Sequence, residues 1–304
     1  TMATVKDARP PAADPASAAS PSPLRRELLA LLACPESGLP LNGWDGGRDG
    51  TLTCEATGQT YPVLDGIPCL LPLALQARTP STDAELAEKI SEMKARDEQV
   101  EAYDAMVGLK LFTSVEVPMT LRCLAPEPHH LMLEGGCGTG RMTPAFAERV
   151  RALVCVDFSM ESLRVARRKL PAALAAKTLF LQADLSQLPL RTDAFDRVGS
   201  FGVYEHIPTP ESRDRALAEM SRVMKPRTEG SRFALSAYRW GPPQSWSSER
   251  EGHHPGGIYF RRFTMPELLG LVRPHIDVLG QTEALLYYHL VWGRKPTAPS
   301  AAGK

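Results

Sequence analysis

The 304-residue chain is as informative in what it lacks as in what it has. No stretch approaches the roughly 18 to 20 consecutive apolar residues of a membrane-spanning helix, and its N-terminus lacks the basic-then-apolar order of a secretory signal. A cytoplasmic protein with no membrane partner is therefore expected. There is no charge excess either. The 35 Lys and Arg balance 35 Asp and Glu, so the basic footprint of a protein that tracks a phosphate backbone is missing, which argues against nucleic acid as a partner. The local basic run "RVARRKL" at 164–170 reads as a solvated helix face. Six cysteines (Cys34, Cys54, Cys69, Cys123, Cys137 and Cys155) show no paired framework, as suits a reducing compartment rather than a disulfide scaffold. No internal repeat is present.

What the chain does have falls into blocks. Residues 7–23 carry five prolines among small residues and cannot bury enough apolar surface to order themselves, so 1–23 is read as a disordered tail. Residues 24–75 hold a short helix, "LRRELLALLA", then glycine-rich turns and short alternating strands around Leu52 and Tyr61. A β-rich unit this small is near the limit of independent stability and is expected to dock on the rest. From Ser81 to Phe112, Leu86, Ile90, Met93, Val100 and Met106 recur at helical spacing, with Ser81 or Thr82 as the cap. With "SVEVPMTLRCL" this makes a helical lid or linker, 76–126.

Across 127–296 strands alternate with helices. The strands are expected at 130–135, 152–157, 178–183, 196–202, 232–238, 275–282 and 285–295. The first four recur at βαβ spacing, which implies a mostly parallel sheet covered on both faces. The last two are too close for a parallel crossover and must be antiparallel if they pair. Residues 297–304 are read as a flexible tail.

The chemistry sits at strand ends. "LMLEGGCGTGRMTPAF", residues 131–146, puts Gly136, Gly138 and Gly140 between an apolar run and a helix start. Such a turn lets bare backbone N–H groups approach a polar ligand closely, and dinucleotides or S-adenosylmethionine fit it. A dinucleotide fingerprint runs G-x-G-x-x-G with an acidic residue about 20 positions later. Here the run is G-x-G-x-G with Glu134 already before it, which favours S-adenosylmethionine. The next strand ends in "CVDFS", placing Asp157 17 residues after Gly140, where a carboxylate can accept both ribose hydroxyl protons. The third ends in "LQADLSQLPL".

With "FD.V" and "EM.RVMKP", these motifs resemble class I S-adenosylmethionine-dependent methyltransferases. The match is to the subgroup of quinone-biosynthesis and small-molecule enzymes, and it covers about 170 residues from His130 to Lys295. The resemblance implies an α/β fold: a Rossmann-like seven-stranded mostly parallel sheet with an antiparallel C-terminal hairpin, plus the small N-terminal β-rich domain and the helical lid. It implies that Glu134, Gly136, Gly138 and Gly140 hold the amino acid portion of the cofactor. Asp157 would meet the ribose, Phe158 would flank the adenine, Asp184 would sit near its amino group and the Leu185 amide near a ring nitrogen. Tyr103 would lie in a lid over the cofactor. "RTEG" replaces the diglycine expected after Pro226, which should lengthen a surface loop.

Methyl transfer by in-line displacement needs a nucleophile about 3 to 3.5 Å from the methyl carbon, with a base only if that nucleophile must lose a proton. His206 and Glu205 in "YEHI", at the mouth of the sheet, and His254 beside His253 in the loop after the fifth strand are the catalytic candidates. Tyr204, Trp240, Trp246 and Tyr259 are candidates to line an apolar acceptor pocket.

The N-terminal unit, through "LLACPESGLPL" and "LTCEATGQTYPVLDGIPCLLP", resembles the small zinc-binding activator subunit of translation-factor and RNA methyltransferases. The family's C-P-x-C and C-x-x-C pairs keep only Cys34 and Cys54, with Ser37 and Thr57 in the second places. A tetrahedral zinc would lack half its thiolates, so no metal is expected, and a core including Tyr61, Ile67 and Leu70 should hold the unit. "GVYEHIP" is unlike the Asn-Pro-Pro-Tyr type of sequence that meets a target glutamine. The expected function is methyl transfer to O, N or C of a small-molecule acceptor. An RNA methyltransferase and a cofactor-binding regulatory protein without catalysis are the alternatives.

Overall fold

The computed structural model describes residues 21–79, 81–104 and 108–297, and side chains outside 101–112. Of the tails read at 1–23 and 297–304, residues 1–20 and 298–304 lie outside the described residues, as do the side chains of Tyr103 and Met106, whereas Ser22 and Pro23 form the cap and first turn of a helix. None of the described helices is long and apolar enough to cross a membrane.

The N-terminal unit opens with helix α1 (Pro23–Leu29), whose cap Ser22 accepts from the Arg25 N–H, with proline in the first turn. Strands β1 (Gly50–Cys54), β2 (Gln59–Leu64) and β3 (Ile67–Pro68) form an antiparallel meander with Leu52 opposite Tyr61. Tyr61, Ile67 and Leu70 are fully buried, as the sequence led us to expect.

Helices α2 (Leu73–Gln76), α3 (Ala84–Asp104) and α4 (Gly108–Leu124) follow. The cap of α3 differs from expectation. Asp83, not Ser81 or Thr82, accepts from the Leu86 N–H at 2.9 Å, while Ser81 accepts from Asp83 N at 3.1 Å. A carboxylate three residues before Leu86 satisfies the free amide and also favours the positive helix end.

The main unit runs β4 (Leu131–Gly135), α5 (Thr143–Ala147), β5 (Ala152–Asp157), α6 (Met160–Lys169), α7 (Ala172–Ala175), β6 (Thr178–Gln182), β7 (Arg197–Ser200), α8 (Pro210–Val223) and β8 (Arg232–Tyr238). It closes with α9 (Gln244–Ser247), the short hairpin β9 (Glu251–His253) and β10 (Tyr259–Arg261), α10 (Met265–Val272), β11 (Asp277–Ala284) and β12 (Tyr288–Arg294). The seven-stranded sheet has the order β11-β12-β8-β7-β4-β5-β6. Its strands pair in parallel except around β12, which is antiparallel to both β8 and β11. β4 and β6 are buried throughout, which is why they read as unbroken apolar runs rather than alternating ones. β4 is central, with β5 on one side and β7 on the other. The chain reverses its winding there, and in open α/β sheets ligands bind beyond the strand ends at that point.

The N-terminal unit continues this sheet. Cys69 bridges Gln182 in parallel next to β6, and the Leu70 N–H donates to the Gln182 carbonyl at 2.8 Å. Ala33 N–H reaches Pro189 O and Arg191 N–H reaches Leu31 O, both at 2.9 Å. Leu28, Leu32 and Leu70 share one apolar core with Leu181, Leu188 and Leu190. The N-terminal unit thereby caps the C-terminal end of edge strand β6 and buries the apolar residues beside it.

Candidate functional site

The turn after β4 is shaped by three left-handed glycines, Gly136 (φ +75°), Gly138 (φ +54°) and Gly140 (φ +83°). Their reasons differ. A Cβ on Gly136 would lie 2.3 Å from Val203 Cγ2, and one on Gly140 would lie 3.0 Å from Ala166 Cβ, whereas at Gly138 it would meet nothing within 4 Å. Gly136 and Gly140 are thus demanded by protein neighbours. Gly138 faces open space, the condition for backbone approach to a ligand.

Three carboxylates stand at three successive strand ends. Glu134 is buried, with Oε2 accepting from Thr143 Oγ1 at 2.7 Å and from Cys155 Sγ at 3.5 Å. Burial raises its pKa to about 7. Asp157 ties the glycine loop to the next helix: Oδ2 accepts from Gly138 N at 2.7 Å and Oδ1 from Ser159 N at 2.9 Å. Its pKa is likewise raised by burial. Asp184 Oδ1 accepts from the Ser186 N–H and hydroxyl at 2.8 Å, and its Oδ2 pairs with Lys89 Nζ at 2.7 Å. Leu185 packs over Gly135. Phe158 packs against the cluster of Leu71, Leu75 and Met93 beneath α3.

Lys89 belongs to a feature that the sequence reading missed. Glu85, Lys89, Glu92, Arg96 and Gln99 fall at helical spacing along α3, one residue behind the apolar row Leu86, Ile90, Met93 and Val100. Most members of that polar row bond to segments that follow the strands of the main sheet. Glu85 accepts from the Ser212 hydroxyl at 2.6 Å, Glu92 accepts from Tyr259 N at 3.1 Å, and Gln99 donates to Gly256 O at 2.7 Å. Asp97 adds a 2.6 Å bond from Ser159 Oγ. Helix α3 therefore lies across the ends of β5, β6 and β7. The i, i+4, i+7 spacing of polar residues was the available signal, but a solvated face has the same pattern.

The catalytic candidates converge beyond β7. Tyr204, Glu205 and His206 form a 3₁₀ turn. His206 Nδ1 lies 2.7 Å from the Tyr259 carbonyl. A carbonyl only accepts, so Nδ1 carries the proton and Nε2 keeps its lone pair. Burial holds the pKa of His206 well below its usual value, so the ring is neutral. The His254 ring centroid is 5.9 Å from that of His206 and 4.5 Å from that of Phe260. Tyr238 stands 5.4 Å from His206 and 5.4 Å from Tyr288, with Tyr287 at 5.3 Å.

The expected aromatic lining is corrected here. Tyr204 is buried against Phe263, and Trp246 is 78% exposed on α9. Tyr259 donates its hydroxyl to Glu251 at 2.6 Å. The rings that gather beside His206 are Tyr238, Tyr287, Tyr288 and Phe260. Pairing of β12 with β8 sets Tyr288 opposite Tyr238, a relation that only the sheet register creates.

Glu205 is 0% exposed, and neither carboxylate oxygen has a hydrogen-bond partner among the described residues. Burial, reinforced by Glu116, raises its pKa to about 8 from 4.5. The folded protein thus holds this proton where the unfolded chain has released it. The resulting stability is complete below pH 4.5 and is lost as pH rises through about 8. Glu205→Gln should therefore raise the melting temperature at pH 8.5 relative to wild type by at least ~2 °C, with a smaller difference at pH 4.5. Parallel thermal melts at the two pH values check this, and equal differences at both would contradict it.

In the N-terminal unit the four knuckle positions do meet. Ser37 Oγ lies 3.6 Å from Cys54 Sγ, and Cys34 Sγ lies 3.1 Å from Tyr61 Oη. Hydrogen bonds from Thr57 and Ser37 lower the Cys54 thiol to about 7. The hydroxyls bond to the sulfur from the places where the family carries thiolates.

Residues 133–229 match the family described as a methyltransferase domain, and residues 25–66 match the Trm112p-like protein family. Over 163 residues the chain is 32% identical to a demethylmenaquinone methyltransferase of Clavibacter sepedonicus, covering 52% of this chain and 63% of that protein. Over 118 residues it is 31% identical to a probable tRNA methyltransferase 9B of Mus musculus, covering 39% of this chain and 23% of that protein. The chain thus spans less than two thirds of either relative. Among solved structures, the complex of the Haloferax volcanii Trm112 methyltransferase activator with a putative methyltransferase superposes with a TM-score of 0.54 at 16% identity, over 68% of this chain and 99% of that one. The Burkholderia thailandensis 1,6-didemethyltoxoflavin-N1-methyltransferase, solved with S-adenosylhomocysteine, gives 0.53 at 18% identity, over 84% and 99%. These likenesses concern the fold. The chain joins, in one polypeptide, an N-terminal Trm112p-like domain to a methyltransferase domain of the class I, Rossmann-like fold.

Proposed function

We propose that the protein transfers a methyl group from S-adenosylmethionine to O, N or C of a small-molecule acceptor. The observation that carries this reading is Gly138. Its outward face meets nothing within 4 Å, and its N–H is held by Asp157 at 2.7 Å. The residues fit the cofactor: a bare, left-handed backbone cradle and buried carboxylates at three strand ends match a ligand that carries an ammonium, ribose hydroxyls and an adenine amino group.

When bound, S-adenosylmethionine supplies an electrophilic methyl on a sulfonium centre. Glu134 sets the glycine loop from behind, through Thr143. Asp157 has lone pairs left that would receive the ribose hydroxyls, and Asp184 and the Leu185 amide would hold the adenine. Asp184 shares its carboxylate with Lys89, so α3 reports directly on that end of the site. Phe158 closes it from the α3 side. On the acceptor side the neutral His206 presents Nε2, with Glu205 and His254 beside it.

RNA methylation is the second reading. A probable tRNA methyltransferase is among the relatives, and the N-terminal domain is Trm112p-like. Zero formal net charge weighs against it. A pocket kept for regulation without catalysis is the third.

Calorimetric titration with S-adenosylmethionine and separately with NAD tests the core of this reading. Binding of the first at roughly micromolar Kd, about 8 kcal/mol, without binding of the second is expected. Binding of NAD alone, or of neither, would refute it.

A further inference from the structure

We propose that the Glu205 carboxylate receives the basic nitrogen of the methyl acceptor, so that the acceptor is an amine; this rests on the methyl-transfer reading above. The starting observation is that Glu205 is wholly buried, yet both its oxygens lack a hydrogen-bond partner among the described residues. Holding its proton lowers the cost of burying this carboxyl, but its two oxygens are still left without the hydrogen bonds that water would give them. The nearby cations are engaged elsewhere. Arg141 Nη2 lies 2.9 Å from Glu116 Oε2, and Arg96 Nη2 lies 2.9 Å from Glu92 Oε1. The missing partner is then a donor that arrives with a ligand.

Position selects which part of the ligand. A point beside Gly202 is 3.9 Å from both Glu205 Oε1 and Tyr288 Oη. The Gly202 N–H is held by Ser236 Oγ at 3.0 Å, and that hydroxyl donates to Glu116 Oε1 at 3.0 Å. These neighbours come from β8, β12 and α4, the half of the sheet away from Asp157 and Asp184, which would hold the nucleoside. Val203, two residues before Glu205, packs over Gly136, so the turn that carries Glu205 also borders the glycine loop. The Glu205 carboxylate thus shares the space beside Gly202 with Tyr288, a member of the ring cluster around Tyr238.

A protonated amine suits this place twice. Its N–H groups satisfy the orphaned oxygens, and its charge is attracted to the ring faces. The arriving ammonium displaces the Glu205 proton to solvent; the carboxylate then takes one N–H proton, freeing the nitrogen lone pair, and is back in its protonated resting form when product leaves.

The test uses ligands that differ at one point. Sinefungin carries a primary amine where S-adenosylmethionine carries its methyl sulfonium, and S-adenosylhomocysteine has neither. Affinities of all three are measured by calorimetry for the full-length wild type and for Glu205→Gln, with thermal melts to confirm folding. Glu205→Gln is expected to weaken sinefungin by roughly tenfold or more and to leave the other two within about twofold. Unchanged sinefungin affinity overturns the proposal. An equal loss for S-adenosylmethionine also overturns it, because the carboxylate would then face the sulfonium rather than the acceptor. If the wild type binds none of the three, the methyl-transfer reading itself fails and this inference falls with it. Should the Gln variant not fold, Glu205→Asp keeps the charge with a shorter reach. It should lose part of the sinefungin affinity alone, and no loss would again overturn the proposal.

Discussion

Asp157→Ala is expected to yield a folded protein whose affinity for S-adenosylmethionine is at least ~100-fold lower, about 3 kcal/mol. Two losses combine. The ribose loses its carboxylate acceptor, and the Gly138 N–H, now held at 2.7 Å by Asp157 Oδ2, loses the partner that fixes the loop at its one ligand-facing glycine. Charge-assisted hydrogen bonds of this kind contribute about 1.5–3 kcal/mol each. Stability should change far less than affinity. Burial already raises the Asp157 pKa, so removing the carboxyl relieves a desolvation cost that offsets the lost bonds to Gly138 and Ser159. Calorimetry paired with thermal melts checks both halves. Wild-type affinity in a folded Asp157→Ala protein would remove Asp157 from the site.

Removing residues 1–72 is expected to have an equally large effect, on folding rather than on binding. The truncation strips the backbone bridge from the end of β6, where the Leu70 N–H meets the Gln182 carbonyl at 2.8 Å. It also uncovers Leu181, Leu188 and Leu190 by taking away Leu28, Leu32 and Leu70. A bare edge strand beside a fresh apolar patch recruits other chains. The truncated protein should aggregate or lose its cooperative melt. Supplying residues 21–72 as a separate chain during expression should restore soluble protein. A monodisperse truncation with an unchanged melting temperature would mean that the N-terminal domain is a passenger. Within the intact chain, Leu28→Ala should cost about 2–5 kcal/mol, the range for emptying a fully buried leucine site, read by denaturant titration.

The contrast between α3 and the strands explains what could be read in advance. The central strands of the main sheet, β4, β5 and β6, announce themselves because each is short, apolar and bounded by turn residues, so the signal lies within the segment. The glycine loop is equally local: left-handed turns require glycine whatever surrounds them, and Glu134, Asp157 and Asp184 follow strand ends that were already placed. The polar row of α3 is different. Glu85, Lys89 and Glu92 would look the same on a helix facing water, and nothing near them in the chain says that Asp184, Ser212 and Tyr259 are waiting 95, 127 and 167 residues away. The cap at Asp83 was missed on a smaller scale, because three adjacent capping residues compete and geometry decides among them.

The sequence by itself thus determined the order of elements, the mostly parallel sheet with its antiparallel end, the glycine cradle and the three carboxylates beside it. Each is a consequence of residue types acting within one turn or one strand. Only the tertiary structure decided that Gly138 faces open space while Gly136 and Gly140 face protein, and that the N-terminal domain extends the sheet past β6. It also decided that Tyr238 and Tyr288 meet beside His206, and that Glu205 is buried with its oxygens unmet. Those are relations between distant segments, set by register, packing and burial, and no local pattern encodes them.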